Sequence, residues 1–301
     1  MTRTVAMIGL GLMGGTMASR LLDDGESVVG YDPVDARRDE HRARGGSIAD
    51  SIAEALEGID VAILSLPNSS IMLDVCGEIA SADPNGLLVI DTTTGDPADS
   101  EEAARLLGHV GVEYVDATIS GNAAMAATGD TIFMIGGNDA SVEIGTEVVK
   151  PMCRRVYAVG SVGNGSRTKL IVNHVLSINR AAIAEALTVS ELLGLDLHKT
   201  LEVLRDSAAF SKAMDIWGER MVNADHYPPA SRIRQTHKDI KLITAQADKV
   251  GASNELARTV QIALAEAEES GLGDADNSSM IEVMRRRAEI GRIDKQGEEQ
   301  H

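Results

Sequence analysis

The sequence predicts an α/β fold in which a doubly wound, mostly parallel sheet is followed by an all-α C-terminal domain. The first observation is that short apolar runs alternate with amphipathic, helix-length stretches through the first half of the chain, which is the pattern of βαβ units. The second is that most of these runs are near-continuous, as in parallel strands buried on both faces. The third is that strand patterns stop after about residue 162.

The individual elements follow from these patterns. The predicted strands are TVAMIGL, SVVGYD, DVAILSLP, GLLVIDT, VEYVDAT, TIFMIGG and RRVYAVG. The amphipathic stretches between them include residues 13–24, 97–109 and 139–149. The helices of the second half are predicted at about 165–194, 196–206, 211–223, 231–250, 253–270 and 276–288. The first of these helices is apolar nearly all round, which predicts that it is buried.

The same change of pattern predicts the domain boundaries. A length of 301 residues suits two ordinary domains. The glycine-rich segment VGSVGNG separates the two halves, so we expect the sheet domain at 1–162 and the helical domain at 163–288. The remaining residues, 289–301, form a polar tail.

Composition and charge exclude several classes of function. The formal net charge is −18 and only 2% of the residues are aromatic, so the chain lacks the basic field and the stacking side chains of a nucleic-acid binder. Cys76 and Cys153 are the only cysteines, and their spacing suggests neither a disulfide framework nor a metal site. The N-terminus does not resemble a signal peptide, and no apolar run is long enough to span a membrane. We therefore expect a cytoplasmic protein that binds neither nucleic acid nor membranes.

A dinucleotide-binding motif follows the first predicted strand. The stretch GLGLMG has the G-x-G-x-x-G spacing and stands directly before a predicted helix. Glycines at these places allow a tight turn, the close approach of a pyrophosphate and close helix–strand packing, and the helix N-terminus attracts the phosphates. The context of strand, turn and helix indicates a Rossmann-type domain. The turn residues predicted to contact the cofactor are Gly9, Leu10, Gly11, Leu12, Met13 and Gly14.

Asp32 predicts which nicotinamide cofactor is bound. It ends the second predicted strand, 18 residues after Gly14, and a carboxylate there accepts the ribose hydroxyls of NAD and repels the 2′-phosphate of NADP. The alternative is that Asp32 only caps a turn with Pro33, which the preceding glycine motif makes the weaker interpretation. Arg37 and Arg38 follow closely and keep NADP open as the less favoured cofactor.

Lys169 and Asn173 stand at the start of a strongly apolar predicted helix, in the stretch GNGSRTKLIVN. They are four residues apart, so on a helix they lie on the same face. The ammonium group either reaches water along its own apolar stem or is partly buried for a purpose, and burial lowers the pKa of a lysine. Taken alone, the first interpretation is the better one.

Five motifs in this order resemble the β-hydroxyacid dehydrogenase family, the group of 3-hydroxyisobutyrate dehydrogenase, tartronate semialdehyde reductase and 6-phosphogluconate dehydrogenase. They are GLGLMGGTMA (9–18), DTTTGDP (91–97), DATISGNAAMAATGDT (116–131), GNGSRTKLIVN (163–173) and HKDIKL (237–242). Each motif alone is modest, but all five in order, with a sheet domain before a helical one, form a specific pattern. The resemblance covers residues 4 to about 285.

The resemblance implies which residues hold and convert the substrate. Lys169 matches the catalytic lysine of the family, and Asn173 matches the side chain that helps to hold the substrate beside it. Ser120 and Gly121 match the Ser-Gly pair that grips the substrate carboxylate. The catalytic match favours partial burial of Lys169 over the interpretation in which it only reaches water.

Other matching residues are implied to contact the cofactor. Leu66, Pro67 and Thr94 match the family's contacts on the nicotinamide side. Lys238 matches a lysine that the helical domain brings to both the cofactor and the substrate.

Several departures from the family pattern concern the substrate. Asn122 stands where the family usually has a second glycine, and we include it among the substrate-binding residues. Thr118 replaces a common proline. Arg232 and Arg234 lie where the family tends to be apolar with a phenylalanine. These two arginines either lie on a solvated helix face, which is the favoured interpretation, or line a pocket for an extra anionic or polar group.

The resemblance implies an NAD-dependent dehydrogenase of a small 3-hydroxy acid, or a reductase of the corresponding semialdehyde, with Lys169 as general acid/base. The hydroxyl proton must leave as hydride passes from the same carbon to the nicotinamide, and a partly desolvated lysine beside the charged nicotinamide suits this task. The expected partner is a small anionic hydroxyacid or semialdehyde. A homodimer or homotetramer is expected, with the long apolar helix packed between subunits.

Three other functions compete with this one. An imine reductase of the same fold typically has an acid or a tyrosine where Lys169 stands, so the lysine counts against it. A cofactor-binding module without catalytic activity would be marked by loss of that lysine, which is present. A 6-phosphogluconate dehydrogenase is disfavoured because this chain is much shorter than those enzymes.

Overall fold

The structure, a computed structural model, describes residues 3–84 and 86–288. Its contacts divide the chain into two compact units, Met1–Leu170 and Ile171–His301. The predicted domain boundary after residue 162 stays a prediction, and the predicted polar tail lies outside the described residues.

The first unit is built on an eight-stranded sheet, which confirms the predicted fold class. Its strands are β1 (Thr4–Ile8), β2 (Ser27–Tyr31), β3 (Ser47–Ile48), β4 (Val61–Leu64), β5 (Leu88–Asp91), β6 (Glu113–Ser120), β7 (Thr131–Gly136) and β8 (Cys153–Ala158). They lie in the order β3-β2-β1-β4-β5-β6-β7-β8. Neighbouring strands are parallel except β6 and β7, which are antiparallel. The strand order reverses its direction at β1, as in a doubly wound sheet.

Helices between the strands cover both faces of this sheet. They are α1 (Leu12–Asp23), α2 (Asp35–Ala43), α3 (Ile52–Ala55), α4 (Ser69–Ser81), α5 (Pro97–Gly108), α6 (Ala123–Ala127) and α7 (Asp139–Val149). The side chains of β1 alternate between two buried apolar clusters, with Val5 and Met7 in one and Ala6 and Ile8 in the other. Burial on both faces explains the near-continuous apolar runs of the sequence.

One row of residues marks the carboxyl edge of the parallel strands. Ile8 pairs with Tyr31 on one side and with Leu64 on the other, Leu64 pairs with Asp91, and Asp91 pairs with Asp116. The segments that follow β2, β1, β4 and β5 therefore begin at the same edge, which is where ligands bind in open α/β sheets. Strand β6 continues beyond this row to Ser120.

The second unit is helical. Its first helix, α8 (Asn164–Leu192), begins in the first unit, and the others are α9 (Leu197–Asp206), α10 (Glu219–Val222), α11 (Ile233–Lys249), α12 (Glu255–Ala267) and α13 (Met280–Arg287). Among the described residues, no helix is long and apolar enough to cross a membrane.

The prediction that the long helix α8 is buried is wrong for one of its faces. Ile171, Val175, Val189 and Leu192 are 48–63% exposed. Their spacing places them in one stripe along the helix. Side chains on another side, such as Leu187, are fully buried. The sequence is apolar on both sides of α8, but only one side packs within the chain.

Some details of the elements could not be read from the sequence pattern. Strand β3 has only two residues, too few to show a period. The helix predicted at 211–223 contains a π-helical turn at Met214–Gly218, and α12 is followed by another at Glu268–Leu272. Within the second π-helical turn, Gly271 adopts φ +81°. This conformation ends the helix that the sequence predicted to reach residue 270.

Candidate functional site

The glycine turn joins β1 to α1 as predicted. Gly9 adopts φ +94°, and a side chain there would meet the carbonyl oxygen of Ser65 and the side chain of Leu66. A side chain on Gly14 would collide with the carbonyl of Gly9. Gly11 differs, because no backbone atom blocks its missing side chain and it is the residue that precedes α1. Gly9 and Gly14 thus serve the turn itself, whereas a side chain on Gly11 would meet only the guanidinium of Arg37, at 3.2 Å.

Asp32 lies immediately after β2 and supports the same turn. Its carboxylate accepts hydrogen bonds from the backbone N–H of Leu10, at 2.8 Å, and of Val34, at 2.9 Å. Each oxygen keeps a second lone pair for a ribose hydroxyl. Arg38 donates to the backbone carbonyl of Asp32 at 2.8 Å and pairs with Asp35 at 2.6 Å. The exposed Arg37 reaches the carbonyl of Leu10 at 3.4 Å, so it is the arginine nearer to the glycine turn.

The segments that follow β4 and β5 lie next to this turn. Ser65 donates its N–H to the carbonyl of Ile8 at 3.0 Å, and Thr92 donates to the carbonyl of Leu64 from its side chain at 2.7 Å. The side chain of Leu66 packs against Gly9. These contacts fix the chain just before Leu66 and Pro67 and two residues before Thr94, the residues predicted to contact the nicotinamide side of the cofactor.

Asp91 braces the second of these segments from within the sheet. It is 1% exposed and accepts the N–H of Thr93 at 2.9 Å and the hydroxyl of Tyr114 at 2.7 Å. Burial raises the pKa of Asp91 to about 6, although both hydrogen-bond donors oppose this effect. Asp91 is the first residue of the motif DTTTGDP, but the motif does not indicate which backbone and side-chain groups its carboxylate contacts.

Ser120, Gly121 and Asn122 form the corner after β6. Ser120 is half-buried, and Gly121 packs so closely on Thr131 that it leaves no room for a side chain. Asn122 precedes α6 and accepts the N–H of Met125 at 3.0 Å through its amide oxygen. Its oxygen is thus used as a helix cap, and its amide N–H groups are what Asn122 can offer to a substrate.

Lys169 lies in the second turn of α8 and is half-buried. The first turn of this helix is attached to β6, because the backbone N–H of Ser166 donates to Asp116 at 2.7 Å. Asp116 belongs to the row that marks the carboxyl edge of the sheet. The helix that carries Lys169 therefore starts at the same edge as the glycine turn and the segments after β4 and β5.

The second unit brings Asn173 and Lys238 together through a residue that sequence reasoning missed. Asn173 is buried and donates its side-chain N–H to Asp239 at 2.9 Å, and the ammonium of Lys238 lies 3.5 Å from the other oxygen of that carboxylate. Asp239 is the third residue of the motif HKDIKL, so its position beside the predicted lysine was the available signal.

Arg180 is a second residue that the sequence did not suggest. It is 6% exposed, lies 4.7 Å over the ring of Trp217 and donates to Ser177 at 3.1 Å. Burial lowers the pKa of Arg180 to about 10, while the charges of Asp239 and Asp276 act in the opposite direction. Its spacing of seven residues from Asn173 places it on the same face of α8.

Arg232 and Arg234 lie on the surface of the second unit. Both side chains are 59% exposed, and both approach Asp274, at 3.8 Å and 2.6 Å respectively. This placement fits the solvated helix face that the sequence favoured.

Comparison with known proteins identifies the family of this chain. The model for the NAD binding domain of 6-phosphogluconate dehydrogenase matches residues 4–160, more than half of the chain. The model for the NAD-binding of NADP-dependent 3-hydroxyisobutyrate dehydrogenase matches residues 163–284. The chain belongs to the β-hydroxyacid dehydrogenase family.

Several β-hydroxyacid dehydrogenases are similar over most of their length. The NAD-dependent L-serine dehydrogenase of Pseudomonas aeruginosa is 32% identical over 76% of this chain and 78% of its own. The 2-(hydroxymethyl)glutarate dehydrogenase of Eubacterium barkeri is 27% identical over 93% of this chain and 94% of its own. The solved 3-hydroxyisobutyrate dehydrogenase of Mycobacterium tuberculosis with L-serine has a TM-score of 0.87 at 27% identity, covering 95% of this chain and all of that one.

Membership of the β-hydroxyacid dehydrogenase family has two direct consequences. The chain is an oxidoreductase of the hydroxyacid dehydrogenase type, and it contains NAD(P)-binding domains. The uncapped start of α1 at Gly11 and the carboxylate of Asp32 fit such a dinucleotide.

We expect Asn122→Gly to change the relative rates on different hydroxy acids without unfolding the protein. Replacing an N-cap asparagine by glycine lowers the stability of a helix by only a few tenths of a kcal/mol. The same substitution removes the amide N–H groups of Asn122 from the corner after β6. The turnover of substrates with an unbranched chain should rise relative to that of branched ones. Turnover of a hydroxy-acid panel, together with the melting temperature, measures both effects.

Asn138→Gly is the matched control for this variant. Asn138 caps α7 as Asn122 caps α6, by accepting the N–H of Ser141 at 2.8 Å. It follows β7, which runs antiparallel to β6, so it lies at the other edge of the sheet. Identical relative rates in the two variants and the parent protein, with normal melting temperatures, would place Asn122 outside the substrate site.

Proposed function

We propose that this chain oxidises a small 3-hydroxy acid with NAD, or reduces the corresponding semialdehyde with NADH, and that Lys169 is the general acid/base. One observation carries the proposal. The glycine turn, the segments after β4 and β5 and the start of α8 share one edge of the sheet, and α8 carries Lys169.

The names of the relatives support a substrate class. L-Serine, 2-(hydroxymethyl)glutarate and 3-hydroxyisobutyrate, after which the three relatives are named, share a hydroxymethyl group on the carbon next to a carboxylate. We therefore propose substrates of the form HO–CH₂–CH(R)–COO⁻. The side group R distinguishes the members of this class, and the residues near the corner after β6 are candidates for reading it.

The proposed roles follow from the chemistry of this class. When bound, the nicotinamide accepts hydride from the hydroxymethyl carbon. Lys169 takes the hydroxyl proton and returns it in the reverse reaction. Ser120 and the backbone N–H groups after it donate to the substrate carboxylate. Asn173, oriented by its hydrogen bond to Asp239, presents its remaining amide groups to the substrate.

We expect NAD to be preferred over NADP by roughly tenfold or more in kcat/KM, a difference of about 1.4 kcal/mol. A 2′-phosphate would be placed against the carboxylate of Asp32. Arg38 is already engaged with Asp35 and with the backbone of Asp32. Steady-state kinetics with both cofactors measures the preference.

Arg37→Ala provides the control for the cofactor prediction. Arg37 is exposed beside the glycine turn, where it approaches Leu10, so it is the side chain best placed to bind a 2′-phosphate. The variant should leave kinetics with NAD unchanged. A lower KM and higher kcat/KM with NADP in the parent protein, both lost in Arg37→Ala, would show that Arg37 reads the ribose and that the NAD assignment is wrong.

A panel of hydroxy acids tests the proposed reaction. Formation of NADH should be seen with members of the class HO–CH₂–CH(R)–COO⁻ and not with 2-hydroxy acids of equal length. Reduction of cyclic imines by NADPH, without turnover of any hydroxy acid, would instead establish an imine reductase. The homodimer or homotetramer stays a prediction, which the exposed apolar stripe of α8 supports.

A further inference from the structure

Asp116 lies on β6, and its buried carboxylate contacts the start of α8. It is 0% exposed, and each of its oxygens accepts one backbone N–H from the beginning of the helix, at 2.9 Å from Gly163 and at 2.7 Å from Ser166. The first N–H groups of a helix have no partner within it. Asp116 supplies two of these missing partners from a neighbouring strand rather than from the residue before the helix.

The contacts around Asp116 leave the first turn of α8 little freedom. Thr118 donates its hydroxyl to the carbonyl of Gly165 at 2.8 Å, and the hydroxyls of Ser100 and Ser166 lie 3.0 Å apart. A side chain on Gly165 would meet the carbonyl oxygens of Asp116 and Met134. Strand β6 thus contacts the helix with three different groups within three residues.

Lys169 follows Ser166 by one helical turn. Residues three apart on a helix are neighbours on its surface, so the position of Lys169 is set by the turn that Asp116 holds. A shift of about 1 Å in a catalytic group is enough to lower a rate by roughly 100-fold. The attachment of this turn therefore bears directly on proton transfer at Lys169.

The charge of Asp116 also acts on this end of the helix. A helix N-terminus carries a partial positive charge, which disfavours the charged form of a nearby lysine, and a carboxylate there offsets it. Burial raises the pKa of Asp116 to about 7, and Asp91 acts in the same direction, against the hydrogen bonds from Ser166 and Gly163. The negative charge therefore appears as the pH rises through neutrality. The titratable groups that face this position are Asp91 on β5 and Tyr114 on β6. Glu101 on α5 lies beside Gly163 and pairs with Arg167 on α8.

We propose that Asp116 is a positioning residue for Lys169, which holds the first turn of α8 at the sheet edge and places a negative charge at the start of that helix. The inference rests on the proposed role of Lys169 as general acid/base. It adds a residue from the sheet to the set that determines how that lysine transfers a proton.

Three variants distinguish the effect of Asp116 on the position of the first turn of α8 from the effect of its negative charge. Asp116→Asn removes the charge and one acceptor, Asp116→Glu keeps the charge but displaces it by one methylene, and Thr118→Val removes a neutral contact on the same turn without changing volume. For each, kcat, the KM of a 3-hydroxy acid and the dissociation constant of NAD are measured. The pH profile of kcat/KM is recorded from pH 6 to 10.

We expect Asp116→Asn to lower kcat roughly 10- to 100-fold with little change in NAD affinity. The limb of the pH profile that requires Lys169 should move to lower pH, by roughly half to one pH unit, because a nearby negative charge has been removed. Asp116→Glu should lower kcat but keep the limb near its original pH. Thr118→Val should leave the limb unmoved.

Parallel losses of kcat and melting temperature in Asp116→Asn and Thr118→Val, with unchanged pH profiles, would show a merely structural role and overturn the proposal. If Asp116→Asn does not fold, Asp116→Glu carries the test, and a limb displaced in this charged variant counts against the proposal. Failure of both to fold, with Thr118→Val normal, would show that the fold alone requires the carboxylate and would also overturn it.

A double variant distinguishes this proposal from the role of Lys169 itself. In a Lys169→Ala background, Asp116→Asn should change the remaining turnover by less than about twofold, because residues that act as a unit are non-additive. If Asp116→Asn lowers turnover in the Lys169→Ala background as much as it does in the parent protein, Asp116 does not act through Lys169. Near-normal turnover in Lys169→Ala alone would instead reject the proposed function.

Discussion

Turnover of a 3-hydroxy acid is expected to fall by about 10²–10⁴-fold when Lys169 is replaced by alanine. The substitution removes the group that takes the hydroxyl proton. Lys169 lies on α8, in a different segment from the glycine turn and Asp32, so the dissociation constant of NAD should change little. The limb of the pH–rate profile that reports the base should disappear with the lysine. Steady-state kinetics across pH and a titration with NAD measure these effects.

Lys169→Arg is the matched variant for this experiment. It keeps a positive charge and a long side chain, but a guanidinium stays protonated and cannot accept the proton. Activity should therefore not return. The assignment would be wrong if Lys169→Ala kept near-normal turnover while Lys238→Ala abolished it, and the base would then have to be sought near Asp239, which contacts Lys238.

Gly165→Ala is expected to destabilise the protein by about 3 kcal/mol or more. The added methyl would meet two backbone carbonyl oxygens, those of Asp116 and Met134, the latter at 2.7 Å. Backbone atoms within a sheet cannot move aside as a flexible side chain does, so the start of α8 has to shift. The midpoint of urea unfolding measures the loss, and the same shift should lower turnover through Lys169.

Gly77→Ala is the control for this substitution. Gly77 also lies within a helix, α4, but among the described residues a methyl group there meets no atom within 4 Å other than its chain neighbours and the adjacent backbone of its own helix. Alanine in a helix interior is more stable than glycine by roughly 0.5–1 kcal/mol, so the urea midpoint should rise. A fall of similar size in both variants would show that close packing on β6 is not the cause.

Sequence reasoning succeeded where the determining interactions are local. Gly9 and Gly14 are constrained by a turn of six residues, and the apolar strands are long enough to show burial on both faces. Each of these features is contained in a short window of the chain, so composition and spacing predict it. The same holds for the change from strands to helices near residue 162.

Two supporting carboxylates, Asp116 and Asp239, stand within quoted motifs, but their partners could not be predicted because the contacts join distant segments. Asp116 bonds to residues 47 and 50 positions later, and Asp239 meets Asn173 across 66 positions. Neither pairing produces a periodic pattern. The exposed stripe of α8 was missed for a related reason, since hydrophobicity alone does not state which apolar face packs within the same chain.

Because no side chain caps the start of α1, we expect the lifetime of the protein to depend on its cofactor supply. Five helices of the first unit are preceded by a Ser, Asn or Asp side chain that accepts an N–H of the first turn. Two others lack such a cap, since α1 is preceded by Gly11 and α2 by Val34. A dinucleotide bound at this end of α1 would supply acceptors for its first N–H groups. A ligand that binds only the folded state stabilises it by about 2.7 kcal/mol at a hundred times its dissociation constant. Proteolytic half-life inside a cell should therefore rise and fall with the nicotinamide dinucleotide pool, so that depletion of the coenzyme removes the enzyme as well as its activity.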